Sequence, residues 1–290
     1  DAASGCYSLT LRQSCPARPG QVSKQPFLIP VRMGLIDASG QPVPLQLEGD
    51  SDAPLERVLV LTDTEQQFRF TGLDAAPVPS LLRQFSAPVQ LDVAGEDAAS
   101  QLHLLAHDSD AFNRWQAAQD LATRLLVGAV DALRKRTAPP DTRPFIDALG
   151  AILADEALEP AYRAQVMALP TEADIARVIG HDIDPAAIYK ARSSLRRRLA
   201  TRLSATLDGL YRSHAITVAY APTPQQAGAR ALRNAALGLM VARGKAEDVE
   251  TARHHFDRAG NLTDEIAGLA CLSHTRGEAW NTALARFYER

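Results

Sequence analysis

The stretch HDSDAFNRWQAAQDLATRLL, residues 107–126, divides the sequence into two regimes. Beyond it, apolar residues recur at spacings of three and four. Trp115, Ala118, Ala122, Leu126, Ala129 and Leu133 line one side of a long amphipathic helix. Asp110 stands where an N-cap belongs, and TAPPD (137–141) stops the run. Before it, the period is two. Short apolar or alternating runs are separated by Pro, Gly, Asp and Ser: 7–11, 27–36, 43–47, 57–62, 67–73, 80–85, 89–93 and QLHLLAH at 101–107. In 67–73, Phe68 and Phe70 face one side and Gln67 and Arg69 the other, and DASGQP (37–42) supplies the residues of a tight reversal.

Eight such runs with no helical stretch between them predict an all-β, Ig-like antiparallel sandwich over 1–107. After it, helices are expected near 143–154, 160–168, 171–180, 185–213, 224–243, 246–259, 263–274 and 277–290, joined by short turns. Their spacing and Ala-rich composition predict an all-α superhelix of stacked helix pairs over 108–290, although no fixed repeat length is visible.

The totals fit two soluble domains: 290 residues, 46% hydrophobic, 22% charged, formal net charge -3. No run approaches the roughly 20 apolar residues of a membrane span, and neither nucleic acid nor membrane is an expected partner. DAASGCYSLT (1–10) carries no Met, basic n-region or apolar h-region, which suits a soluble piece of a longer protein. Cys6, Cys15 and Cys271 form no C-x-x-C and are odd in number, so a reducing, cytoplasmic setting is expected.

Candidate chemistry concentrates in RHHFDRAGNLTDEIAGLACL (253–272). On the helix 246–259, Val249, Ala252, Phe256 and Ala259 are the apolar stripe, while Glu250, His254 and Asp257 share another face. Three potential metal ligands therefore lie together, but His255 points about 100° from His254, so the pair is not the i, i+4 pair of a helical zinc protease. A solvated, ion-paired face is the favoured reading. In GNLTDE, Gly260 is expected in the αL position ending one helix, Thr263 as the cap of the next, and Asp264 and Glu265 in its first turn. ARSSLRRRLATR (191–202) is the concentrated basic run; with Leu195, Leu199 and Leu203 buried, Arg196, Arg197 and Arg202 are expected on outer, solvated faces rather than on phosphate. His103, His107, His181, His214 and His274 are scattered singly, and in HDIDP (181–185) Asp184 and Pro185 suit an N-cap and first helical residue. No G-x-S-x-G, Gly-rich phosphate loop or H-E-x-x-H occurs. No catalytic, cofactor-binding or metal residue is assigned to this chain.

The order of features resembles the region of bacterial aminopeptidase N that follows its catalytic domain. The resemblance rests on residues 7–37, LLRQFSAPVQLDV (81–93), 107–126, ALRNAALGLM (231–240) and FDRAGNLTDEIAGLACL (256–272), and covers nearly the whole chain. It implies a parent that is a zinc metalloaminopeptidase acting on small peptides, with zinc, H-E-x-x-H, a downstream Glu ligand and a Gly-rich exopeptidase motif in a catalytic domain missing here. It also implies a linking sandwich and a helical cap that restricts access, with the parent's own catalytic domain as partner. The family's helical domain continues further, so Trp280, Leu284 and Phe287 on the last helix are expected to leave apolar surface exposed. Two other readings stand beside this one: a free-standing helical scaffold that binds a peptide or protein, and a metal-dependent hydrolase using His254, Glu250 and Asp257.

Overall fold

The structure, a computed structural model, describes residues 5–275 and 278–289. Seven strands come first: β1 (Tyr7–Arg12), β2 (Ile29–Ile36), β3 (Pro42–Val43), β4 (Gln46–Leu47), β5 (Arg57–Leu61), β6 (Glu65–Thr71) and β7 (Val78–Leu81). They form two antiparallel sheets. One runs β1-β6-β4; in the other, β2 pairs with β5 through Ile29–Met33 and with β7 and β3 through its second half. The alternation seen in the sequence sets the burial. On β5, Leu59 and Leu61 are buried while Val58 and Val60 are exposed, and Met33, Leu35, Leu45 and Phe70 complete a core between the sheets.

Three of the expected strands are corrected. The run 43–47 splits because Pro44 cannot donate to a ladder: Val43 pairs with Leu35 of one sheet, Leu47 with Phe70 of the other, and the fully buried Leu45 lies between. Residues 89–93 form no strand, and Val89 and Leu91 are exposed. Residues 101–107 are helical, within α1 (Ala98–His107), whose N-cap Asp97 accepts from the Ser100 amide at 2.8 Å.

The chain after β7 turns sharply, with Leu82, Gln84 and Phe85 all at φ near +55°. Such backbone is costly for non-Gly residues. It is held by Arg83, a buried residue that donates to Ser109 at 2.5 Å and lies within 3.4 Å of the carboxylates of Glu56 and Asp108. Gly34 makes room for it, since a Cβ there would fall 2.3 Å from the Arg83 guanidinium.

Ten helices follow α1 among the described residues: α2 (Ala111–Lys135), α3 (Arg143–Ala154), α4 (Pro160–Val166), α5 (Glu172–Ile179), α6 (Pro185–Arg202), α7 (Ser204–Ser213), α8 (Pro224–Met240), α9 (Ala246–Asp257), α10 (Leu262–Ser273) and α11 (Glu278–Tyr288). Asp110 caps α2 as expected, accepting from the Asn113 amide at 2.9 Å. The single helix expected over 185–213 is two, broken at Leu203, whose side chain is buried beside Gly150. Packing groups the residues into two compact units, 1–120 and 121–290. In the second, α8, α9, α10 and α11 enclose Leu237, Ala252, Phe256, Leu272 and Ala283. Trp280 and Phe287 pack against this cluster instead of facing water, while Leu284 remains exposed.

Candidate functional site

The α9–α10 corner is built from local chemistry. Gly260 has no positive φ, so the αL stop expected there is absent; α9 ends at Asp257, with Arg258 as its C-cap at negative φ. The cap of α10 is Asn261 rather than Thr263, two residues earlier than expected: its Oδ1 accepts from the Asp264 amide at 3.0 Å. Gly268 then lets α10 lie directly on α9, because a Cβ there would meet the Phe256 backbone at 2.9 Å.

On the outer face of α9 the three candidate ligands are engaged with neighbours, the two carboxylates with arginines and His254 with Glu250. Arg253 grips Glu250 with two bonds of 2.9 and 2.6 Å and reaches Asp257 at 2.7 Å. Arg286 takes the other Asp257 oxygen at 2.7 Å, and His254 Nε2 lies 2.9 Å from Glu250. The Arg253 hydrogen bonds hold the Glu250 carboxyl below its ordinary range. Among the described residues no three His, Cys, Asp or Glu side chains converge on a metal position. These residues do not fit a zinc ion, and no chemical step is derived through one.

His255 points inward. Its Nδ1 is 3.2 Å from the Tyr211 hydroxyl, and its Nε2 lies 4.0 Å from Asp264 with no hydrogen-bond partner among the described residues. Burial, and then the nearby Arg233 charge, push its pKa down to about 4 against the opposing pull of Asp264. The ring is therefore neutral at pH 7. Asp264 accepts the side-chain amides of Asn234 at 2.9 Å and Asn261 at 2.8 Å.

These groups line a cleft of about 580 Å³ inside the second unit. Tyr211 comes from α7, Tyr220 from the loop before α8, and Arg230 and Arg233 from one face of α8. Arg233 lies over the Tyr211 ring and Arg230 over the Tyr220 ring, at 4.6 and 4.8 Å from the centroids. The spacing of Arg230 and Arg233 signals a shared face, but their tyrosine partners lie outside α8 and no local pattern in the sequence points to them.

The basic run is corrected at one position. Arg197 is exposed and Arg202 makes a two-bond pair with Asp147 at 2.5 and 2.7 Å, but Arg196 is half-buried and donates to the Gly238 carbonyl at 2.9 Å. Burial lowers its pKa. Of the scattered histidines, His103 contacts the Asp37 carbonyl at 2.7 Å with the His107 ring tilted against it, and His214 contacts the Leu210 carbonyl at 3.0 Å. His181 is exposed and burial lowers the pKa of His274. Asp184 caps α6, accepting from the Ala187 amide at 3.0 Å. A buried ion-pair cluster went unread in the sequence: Arg243 holds Asp248 and Asp208, the latter at 2.8 Å, and these bonds raise its pKa further.

Comparison with known proteins places both halves. Residues 1–94 match a family model described as a domain of unknown function (DUF3458) with an Ig-like fold, and residues 98–290 match its companion, DUF3458_C, described as ARM repeats. The chain is 36% identical over 267 residues to aminopeptidase N of Escherichia coli, an alignment covering 91% of this chain and 30% of that protein. It is also 36% identical over 233 residues to aminopeptidase N of Caulobacter vibrioides, covering 80% of this chain and 26% of the relative. The chain thus spans under a third of the length of these relatives. A crystal structure of Legionella pneumophila aminopeptidase A in complex with aspartic acid superposes with a TM-score of 0.79, at 23% identity, over 100% of this chain and 32% of that one, a likeness of fold. The chain therefore belongs to the DUF3458 family, its Ig-like and ARM-repeat domains together corresponding to the C-terminal part of aminopeptidase N.

Proposed function

We propose that this chain is the non-catalytic C-terminal portion of a zinc aminopeptidase that removes N-terminal residues from small peptides in the cytoplasm. The sandwich, residues 1–107, links to the parent's own catalytic domain, and the helical domain, residues 108–290, caps it and limits entry to short, unfolded chains. Zinc, the attacking water and the group that binds the substrate amine belong to that domain. The carrying observation is the 36% identity to aminopeptidase N across 91% of a chain that contains no H-E-x-x-H. The pairing of Glu250 and Asp257 with Arg253 and Arg286 supports the same reading, because it removes the one cluster that resembled a ligand set.

The test is direct. The purified chain, given zinc, is expected not to hydrolyse alanyl-p-nitroanilide, whereas the chain joined to the coding sequence upstream of Asp1 is expected to do so. Turnover by the isolated chain overturns the proposal, as does the lack of an in-frame H-E-x-x-H upstream.

A further inference from the structure

We propose that the cleft between α7, α8 and the α9–α10 corner is a binding site for a small organic oxyanion, a carboxylate or phosphate ester carried on an apolar body. This goes beyond the role in a peptidase and holds independently of it.

The first observation is an imbalance of charge. Arg230, Arg233 and Arg258 line the cleft against one carboxylate, Asp264. Arg230 is only 7% exposed, yet among the described residues neither it nor Arg233 nor Arg258 makes an ion pair. Arg230 donates to the Gln226 amide oxygen at 3.2 Å, and Arg233 to the Tyr211 carbonyl at 3.3 Å, both neutral acceptors. Two other buried arginines, Arg83 and Arg243, each meet two carboxylates, whereas Arg163, like Arg230, is buried with a neutral acceptor, the Asp155 carbonyl. A buried guanidinium without a counter-charge is costly, and an anion entering the cleft offsets that cost.

The second observation is an unused donor. The His255 side chain, from a residue that lines the cleft, is 2% exposed, and its buried Nε2 lies 4.0 Å from Asp264 with no hydrogen-bond partner among the described residues. When the Tyr211 hydroxyl donates to Nδ1, the ring proton sits on Nε2, which leaves a neutral donor unused in the wall of the cleft. Asp264, whose oxygens accept from Asn234 and Asn261, supplies one negative charge against the three guanidinium groups of the cleft. The planar forks of Arg230 and Arg233, each fixed on a tyrosine ring, are preorganised for two-oxygen recognition.

Size selects the ligand class. About 580 Å³ is far more than a bare phosphate or acetate occupies and lies in the range of organic-ligand pockets. Ile216, Val218 and Tyr220 supply apolar lining to the same cleft.

Titration calorimetry of the whole chain tests this with three probes: phenyl phosphate, benzoate and the neutral benzamide. Saturable binding of one or both anions at millimolar concentration, with none of benzamide, is expected. Tighter phenyl phosphate assigns the site to phosphate esters, and tighter benzoate to carboxylates. Arg258→Gln, at an exposed position without ion pairs, is expected to weaken the anion about tenfold while leaving the circular dichroism spectrum unchanged. Arg198→Gln, in the separate arginine-lined cleft beside Asp141, is expected to leave affinity unchanged. Lack of anion binding, equal binding of benzamide, indifference to Arg258→Gln, or an equal loss with Arg198→Gln each overturns the proposal.

Discussion

At the scale of single residues, the adjacent histidines have opposite fates, and their helical angle explains why. His254 lies on the polar face with Glu250, while His255 flanks Ala252 and Phe256 and follows them into the core. The sequence's spacing was enough to separate the two rings. It was not enough to find Tyr211, 44 residues away, or the Arg233 charge, because both arrive through tertiary packing. The buried ring has a consequence for stability. With a folded pKa of about 4 against an ordinary 6.5, the unfolded chain binds the extra proton between those values. His255 thus contributes stability that is complete above pH 6.5 and is lost as pH falls towards 4. The shift corresponds to about 3 kcal/mol. In urea titrations, the stability of the native chain relative to His255→Gln is expected to fall by about that amount from pH 7 to pH 4. A difference that stays constant with pH would show that the ring does not titrate in this way.

At the scale of elements, the helices were legible from their periods, and the failures occurred where two signals competed. In QLHLLAH the alternation of Leu102 and Leu104 imitates a strand, yet the buried pair is Gln101 and Leu105, four apart as in a helix. The Asp97 cap preceding it was the better signal. Leu203 breaks a helix without Pro or Gly, because burial beside Gly150 redirects the chain, and nothing local announces that. The start of α10 is a contest between two good caps, Asn261 and Thr263. Asn261 wins since its Oδ1 takes the Asp264 amide while its Nδ2 reaches the Asp264 carboxylate; Thr263 is already inside the helix and exposed. Asn261→Ala is therefore expected to cost about 1 kcal/mol in chemical denaturation, towards 2 kcal/mol if the second bond counts in full. Thr263→Ala is expected to be near neutral or slightly favourable, as Ala has the higher helix propensity. The reverse ranking would move the cap to Thr263.

For the whole molecule, the change of period at 107–126 separated a β from an α regime, and the Ala-rich stripes implied stacked helices without fixing a repeat length. Where the first folding unit ends was less legible, since a boundary depends on hydrogen bonds that close only in three dimensions. The residues just after His107 carry side chains that complete the sandwich end of unit 1–120. Asn113 Nδ2 donates to the Ser80 hydroxyl and the Leu81 carbonyl, each at 2.9 Å, and Asp110 accepts from the Gln84 amide at 3.0 Å. Asp108 and Ser109 meet Arg83, while burial raises the Asp108 pKa against the pull of Ser80, the Asp110 amide and Arg83. A protein ending at residue 107 loses these four hydrogen bonds, to Ser109, Asp110 and Asn113, worth about 1 kcal/mol each, and leaves the Arg83 guanidinium with Glu56 as its remaining carboxylate. Removing one partner of a buried pair costs about 3–5 kcal/mol, and the positive φ of Leu82, Gln84 and Phe85 then has little to hold it. Residues 1–120 are accordingly expected to unfold in one cooperative transition, and residues 1–107 to melt far lower or to lack a transition. Equal melting temperatures for the two would mean that the sandwich is complete without α2, and that its boundary lies where the period of the sequence changes.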